Sequence, residues 1–288
     1  MNPDVERKID QIKQDREHGA GWLSREAMAT MKLAAEKSEA THRPDFAKDL
    51  EAAAQQLMEA RPSMVAIANL VARFMHCLCQ SSEENLHRLR GFARSMGDKL
   101  IRDSEEAALN AATLASGMIE DGDRVMTCSY SSTICQVFKM AKDQGKRFHV
   151  LVAESRAEDG RVYGEIAAQE LSSLGISTDV LPDSSLEHDM PKMTKVMVGA
   201  DAILQDGSLI NGTPTGRVAL AAKKANIPFY TVCETSKLDF WRRPPPEAQL
   251  EEGFDRVSPH LITGITTEAG IVKPDELVKY VAEWARSI

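Results

Sequence analysis

Val125-Met126-Thr127-Cys128-Ser129 is a short run of strand-forming residues that ends in a Ser-rich turn, Tyr130-Ser131-Ser132. Helix-period sequence follows at once over Thr133–Gln144, and a second β-rich run comes at Phe148–Ala153. The same alternation continues downstream. It predicts strands at Ser177–Leu181, Val196–Ala200, Phe229–Cys233 and Leu261–Ile265, and helices at Val162–Leu174, Gly216–Ala225 and Pro274–Arg286. Short strands alternating with helices are the pattern of an open parallel sheet covered by helices.

Upstream of Gly117 the pattern differs. Apolar residues recur at helical spacing, as in Val5, Ile9 and Ile12, and again in Leu57, Met64, Ile67, Leu70, Val71 and Phe74. Arg61-Pro62-Ser63 reads as a helix start, because Pro is tolerated in a first turn. Ser81-Ser82-Glu83-Glu84 reads as a break before a new helix. The expected architecture is α/β, with an N-terminal helical domain of about five helices over residues 1–115 followed by a Rossmann-like open parallel sheet domain over 116–288.

Composition narrows the function. The 288 residues carry 35 Lys+Arg against 43 Asp+Glu, a formal net charge of −8. With 43% hydrophobic and 27% charged residues the chain can bury a core. The acidic balance disfavours nucleic acid and anionic membranes as partners. An aromatic content of 5% makes a base-stacking surface improbable. No apolar run approaches the roughly 18 residues of a membrane span, and the charged first residues lack a signal-peptide core. The expected location is therefore the cytoplasm. The five cysteines are odd in number and lack framework spacing, so reduced thiols and no metal site are expected.

Open parallel sheets bind ligands beyond the carboxyl ends of their strands. The segments predicted there are Thr127–Ser132, Glu154-Ser155-Arg156, Asp201, Asn211-Gly212-Thr213-Pro214-Thr215 and Glu234-Thr235-Ser236-Lys237. They combine hydroxyls, helix starts, one Arg and one Lys, which suits a phosphate. A Walker GxxxxGK[ST] motif is absent. The nearest approach to a dinucleotide fingerprint, Gly19-Ala20-Gly21-Trp22-Leu23-Ser24, has no strand before it. An anionic ligand must therefore be held by a local cluster within an acidic molecule.

The run Val198-Gly199-Ala200-Asp201-Ala202-Ile203-Leu204-Gln205-Asp206-Gly207-Ser208 resembles the signature of a family with three branches. These are the regulatory subunits of translation initiation factor 2B, ribose-1,5-bisphosphate isomerase and methylthioribose-1-phosphate isomerase. His18-Gly19-Ala20-Gly21-Trp22-Leu23, Arg61-Pro62-Ser63-Met64, Glu154-Ser155-Arg156, Pro228-Phe229-Tyr230 with Glu234-Thr235-Ser236-Lys237, and Ser258–Ile265 agree with it in the same order.

The resemblance implies that Cys128 and Asp201 carry acid-base chemistry. An acid would open the ring of an aldose 1-phosphate, and a thiolate of lowered pKa, helped by the following helix N-terminus, would move a proton between C2 and C1. It further implies that His18, Gly19, Ala20, Arg61, Tyr130, Ser131, Ser132, Arg156, Asn211, Gly212 and Lys237 bind a phosphorylated sugar or nucleotide. No cofactor is called for, and a homodimer or larger homo-oligomer is the expected assembly.

The chain also departs from the family pattern. His18 stands where the family has Arg, Ser129 where it has Asn, and Gly212 where the isomerases have Lys. His18 is expected to contact phosphate only when protonated. Two readings follow from these residues. One is an isomerase that converts an aldose 1-phosphate of ribose-1-phosphate type to the ketose 1-phosphate. The other is a non-catalytic initiation factor 2B-like regulatory subunit that binds the ligand without turnover.

Overall fold

The computed structural model describes residues 1–239 and 250–277. The chain divides into two compact units after Glu106. The first holds α1 (Pro3–Gln14), α2 (Ala20–Lys37), α3 (Arg43–Ala60), α4 (Val65–Gln80) and the first part of α5 (Leu86–Ser116). Its core is Leu23, Met28, Met31, Phe46, Leu50, Leu57, Ile67 and Phe74, all almost fully buried. With Ala27, Ala53 and Val71, also buried, they recur every three or four residues and give each helix an apolar stripe for its neighbours to cover.

The predicted helix start at Arg61-Pro62-Ser63 is corrected. Arg61 caps the carboxyl end of α3, and α4 begins after Met64. The Pro lies in the turn between helices, where its missing N–H costs nothing.

The second unit is built on β1 (Arg124–Cys128), β2 (His149–Ala153), β3 (Ser177–Leu181), β4 (Lys195–Val198), β7 (Phe229–Val232), β9 (Gly264–Thr267) and β10 (Gly270–Val272). They form one sheet in the order β10-β9-β7-β4-β1-β2-β3. All neighbours in it are parallel except β9 and β10. The helices are α6 (Ser132–Asp143), α7 (Tyr163–Ser173), α8 (Leu186–Asp189) and α9 (Thr215–Ala225).

Central parallel strands are covered on both faces, and their side chains alternate between two cores. Val125, Val150, Val152 and Met197 pack with Ile134, Val137 and Phe138 of α6 and with Leu171 of α7. Met126, Cys128, Val196, Val198 and Phe229 pack with Val218, Ala219 and Ala222 of α9. Cys128 thus faces α9.

Two expectations about the strands are corrected. A separate antiparallel sheet in the order β5-β6-β8 is formed by β5 (Ala202–Ile203), β6 (Leu209–Gly212) and β8 (Phe254–Val257), so Asn211 and Gly212 lie in a strand. The strand predicted at Leu261–Ile265 starts only at Gly264, where pairing with Tyr230 begins. Pro259–Leu261 forms a 3-10 turn, since Pro lacks the N–H that a ladder needs. Of the helix predicted at Pro274–Arg286, Pro274–Glu276 is a 3-10 turn, and the remainder beyond Leu277 lies outside the described residues. Among the described residues no helix is long and apolar enough to cross a membrane.

Candidate functional site

The sheet order reverses at β1 and β4. Chain progress runs one way through β1, β2 and β3, and the other way through β4, β7 and β9. Such a reversal leaves a crevice at the carboxyl ends of the two strands that flank it. Cys128 ends β1 there, and Gly199-Ala200-Asp201 leaves β4 there. The two chain ends are tightly apposed, because a Cβ on Gly199 would lie 2.5 Å from Ser131 Oγ. Only glycine admits that approach.

Ser129 and Ser155, which follow β1 and β2, both have positive φ, at 60° and 52°. Non-glycine residues hold that conformation only where their surroundings fix it. Here Ser155 Oγ accepts the Ser129 N–H at 2.7 Å and donates to Ala153 O at 3.1 Å. The Ser155 N–H is in turn taken by Asp183 at 2.9 Å.

Thr215, at the start of α9, is the hub of the site. Its Oγ1 donates to Gly212 O at 2.5 Å, accepts from Asn211 Nδ2 at 2.9 Å and stands 3.2 Å from Cys128 Sγ. A hydroxyl has one proton and two lone pairs. With the proton committed to Gly212, the thiol of Cys128 is the donor to Thr215. Burial, opposed by the Thr215 hydrogen bond and reinforced by the charges of Asp255 and Asp183, pushes the Cys128 thiol up to about 12. The expected lowering is therefore corrected. The free chain holds Cys128 as a neutral thiol, because desolvation of the anion outweighs the local dipoles.

Other chain segments converge on the same end of the sheet. The Asp201 N–H donates to Ile210 O at 2.9 Å, which sets Asp201 beside Asn211. A Cβ on Gly212 would lie 3.0 Å from Ser129 Oγ. Asp255 of β8 accepts from Thr213 Oγ1 at 2.9 Å and from the Gly216 N–H at 2.8 Å, fixing the start of α9. Ser131 caps α6, accepting the Ile134 N–H at 3.4 Å, and Ser132 is the first residue of that helix.

Lys237 is 5% exposed, and its Nζ lies 3.7 Å from Glu234 Oε2. Two predicted residues are engaged elsewhere. The Tyr130 hydroxyl donates to Glu170 at 2.9 Å, and the Arg156 guanidinium pairs with Glu154.

In the helical unit, His18 and Arg61 both contact Asp15. His18 Nδ1 is 2.8 Å from Asp15 Oδ2, and its ring stacks on Trp22 at 3.8 Å. Arg61, 3% exposed, donates to Asp15 O at 2.6 Å. Gly19 caps the amino end of α2, and Ala20 begins it.

Residues 16–244 match the model of the initiation factor 2 subunit family. The chain belongs to that family. Among family relatives, a ribose 1,5-bisphosphate isomerase of Thermococcus kodakarensis is 32% identical, with 96% of this chain and 94% of that protein covered. A translation initiation factor eIF-2B subunit 2-like protein of Pyrococcus abyssi is also 32% identical, over 92% of this chain and 95% of its own. The crystal structure of the Pyrococcus horikoshii translation initiation factor eIF-2B superposes with a TM-score of 0.84 at 26% identity, covering 96% of this chain and all of that one. The family resemblance carried by the sequence motifs is thus borne out, as are the helical start and the mostly parallel sheet.

Sequence reasoning singled out the loop from Asn211 to Thr215 but passed over Thr215 itself. The available signal was its spacing, four residues after Asn211 and at a helix start. Ser155 and Glu234 stood inside segments that sequence reasoning singled out without being given a role, and Asp183, a lone polar residue after a strand, carries no distinguishing pattern.

Proposed function

We propose that this protein is a sugar-phosphate isomerase that converts an aldose 1-phosphate of ribose-1-phosphate type to the ketose 1-phosphate, with Asp201 as acid and Cys128 as base. The observation that carries this is the thiol at the β1/β4 crevice, tied through Thr215 to Asn211 and so to the Asp201 segment. The isomerase relative at 32% identity supports it.

Asp201 gives its proton to the ring oxygen as the C1–O bond breaks. The Cys128 thiolate removes the proton on C2, and a C1–C2 double bond forms. Cys128 then returns that proton to C1, while the C2 hydroxyl proton passes to Asp201 and C2 becomes a carbonyl. C1 is reduced and C2 oxidised within one molecule, and both groups end as they began. The pair needs one proton between them, and in the free chain Cys128 is a neutral thiol. Gly212 in place of the isomerase Lys favours one phosphate over two. We place the working protein in the cytoplasm as a homodimer or larger homo-oligomer, and a monomer by light scattering would contradict that assembly.

Cys128→Ser and Asp201→Asn are expected to abolish turnover with unchanged melting temperature. Proton NMR in deuterated water reports chemistry at the carbon-bound hydrogens. Undiminished activity in either variant defeats the mechanism. The regulatory reading is favoured by the eIF-2B subunit 2-like relative at equal identity. Tight binding of a sugar phosphate without turnover in the unmodified chain would establish it.

A further inference from the structure

We propose that Glu234, held beside Lys237, is the acceptor for a ribose diol, so that this end of the sheet selects ligands by a free 2-hydroxyl. The inference rests on the proposed binding of a phosphorylated ribose, and it deepens that reading whether the ligand is turned over or only held.

Three observations carry it. First, Glu234 is 1% exposed, yet neither carboxylate oxygen has a hydrogen-bond partner. Its contact with Lys237 Nζ, at 3.7 Å, is an ion pair beyond hydrogen-bond length. Buried polar groups left in this state are costly, and each calls for a partner not supplied by the chain. Second, that partner must be a donor. An ionised carboxylate has two oxygens and no hydrogens, and it complements adjacent O–H groups on one ligand. Lys237 would be left free to face the ligand's negative charge.

Third, the loop that carries Glu234 is tied to the segment that bears Asp201. β4 and β7 are parallel with Val198 opposite Thr231. Beyond that pair the Thr231 hydroxyl donates to Gly199 O at 3.0 Å, so the end of β7 stays beside the segment that leads to Asp201. The chain after Glu234 makes a 3-10 turn over Thr235–Lys237 and returns to β5, where Leu238 pairs with Ile203 and the Asp239 N–H donates to Ile203 O at 2.8 Å. Glu234 and Lys237 are therefore carried on a loop anchored to the Asp201 segment at both ends. A sugar whose ring oxygen meets Asp201 has its diol within one furanose ring of that point.

The test measures binding by calorimetry for ribose 1-phosphate against 2-deoxyribose 1-phosphate, and for adenosine 5′-monophosphate against its 2′-deoxy form. The two pairs distinguish a free sugar from a nucleotide. The wild-type chain is expected to bind the hydroxylated member of one pair about tenfold or more tightly, the scale of a hydrogen bond to a charged acceptor. Glu234→Gln is expected to reduce that preference to within about twofold, since the amide presents one acceptor and one donor. Its melting temperature is expected to fall, because the buried Lys237 ammonium loses its counter-ion, so binding is compared well below the variant's own melting temperature. Should Glu234→Gln not fold, Glu234→Asp retracts the carboxylate and is expected to weaken the same preference.

Equal affinity for both members of each pair in the wild type overturns the proposal, as does binding of neither pair or a preference that survives Glu234→Gln. Clear discrimination without turnover leaves the subsite standing and removes the isomerase. Turnover without discrimination does the reverse.

Discussion

Replacing Thr215 by Val tests the hub of the site with almost no change of volume. The hydroxyl is completely buried and serves Gly212 O, Asn211 Nδ2 and Cys128 Sγ together. Thr215→Val leaves the amide donor and the carbonyl acceptor unpaired in the interior. Each such group costs about 1–3 kcal/mol, so the two together cost roughly 2–6 kcal/mol. For a unit of this size that corresponds to a drop of roughly 4–24 °C in melting temperature. Thr215→Ser keeps the hydroxyl and loses one buried methyl, about 1 kcal/mol, and is expected to melt within about 4 °C of the wild type.

Turnover should follow the same order. When Cys128 becomes a thiolate, Thr215 must rotate its proton from Gly212 to sulfur, and a hydrogen bond to a charged group is worth about 1.5–3 kcal/mol. Thr215→Val is therefore expected to lose about ten- to a hundredfold in kcat, and Thr215→Ser little. Differential scanning calorimetry and initial rates on the three proteins decide the matter. A Val variant that melts within about 2 °C of wild type, or a Ser variant that falls as far as Val, would refute the network.

Two further outcomes are expected. With one proton shared by Asp201 and Cys128, and a thiol pushed up to about 12, kcat/KM should stay flat from about pH 7 to 10. Raising the pH removes the shared proton only as it nears the thiol's own pKa, so a fall centred near the ordinary thiol value of about 8.5, or a steady rise, contradicts the assignment. The second outcome concerns Asp123. Burial acts to raise its carboxyl, but the Lys195 ammonium at 2.6 Å and the Glu120 N–H at 2.7 Å outweigh it and hold it below 3.8. A depressed carboxyl contributes stability above its unfolded pKa and loses it as pH falls through the folded value. Asp123→Asn should therefore cost roughly 1–2 kcal/mol at pH 7, after allowance for solvent screening. In thermal melts the penalty should shrink below pH 3.8, and one that grows there contradicts the pairing.

The parallel strands were readable because both faces are covered, which makes Val150–Ala153 or Val196–Val198 near-continuous apolar runs. β5 and β6 escaped because two- and four-residue strands are too short to show a period. Strand starts such as that at Gly264 depend on which neighbour a strand meets, and a single sequence holds no such information. Cys128 and Asp201 were found as a pair from family motifs, and the crevice between β1 and β4 gives them a common address. The direction of the Cys128 shift was beyond reach, because a helix start is visible in sequence whereas burial by α9 is not. Thr215 was missed because its importance lies in three partners from two separate segments.

The joint between the two sheets of the second unit leaves no slack for change by insertion. Gly199, Ala200 and Asp201 alone connect β4 to β5. An added residue there that shifted β5 by one position would send Ala202 and Ile203 to each other's faces, and since both are buried neither face accepts the other side chain without repacking. Lineages built on this scaffold must therefore acquire new specificities by exchanging side chains at fixed positions, as at Gly212, and not by lengthening the loop that bears Asp201.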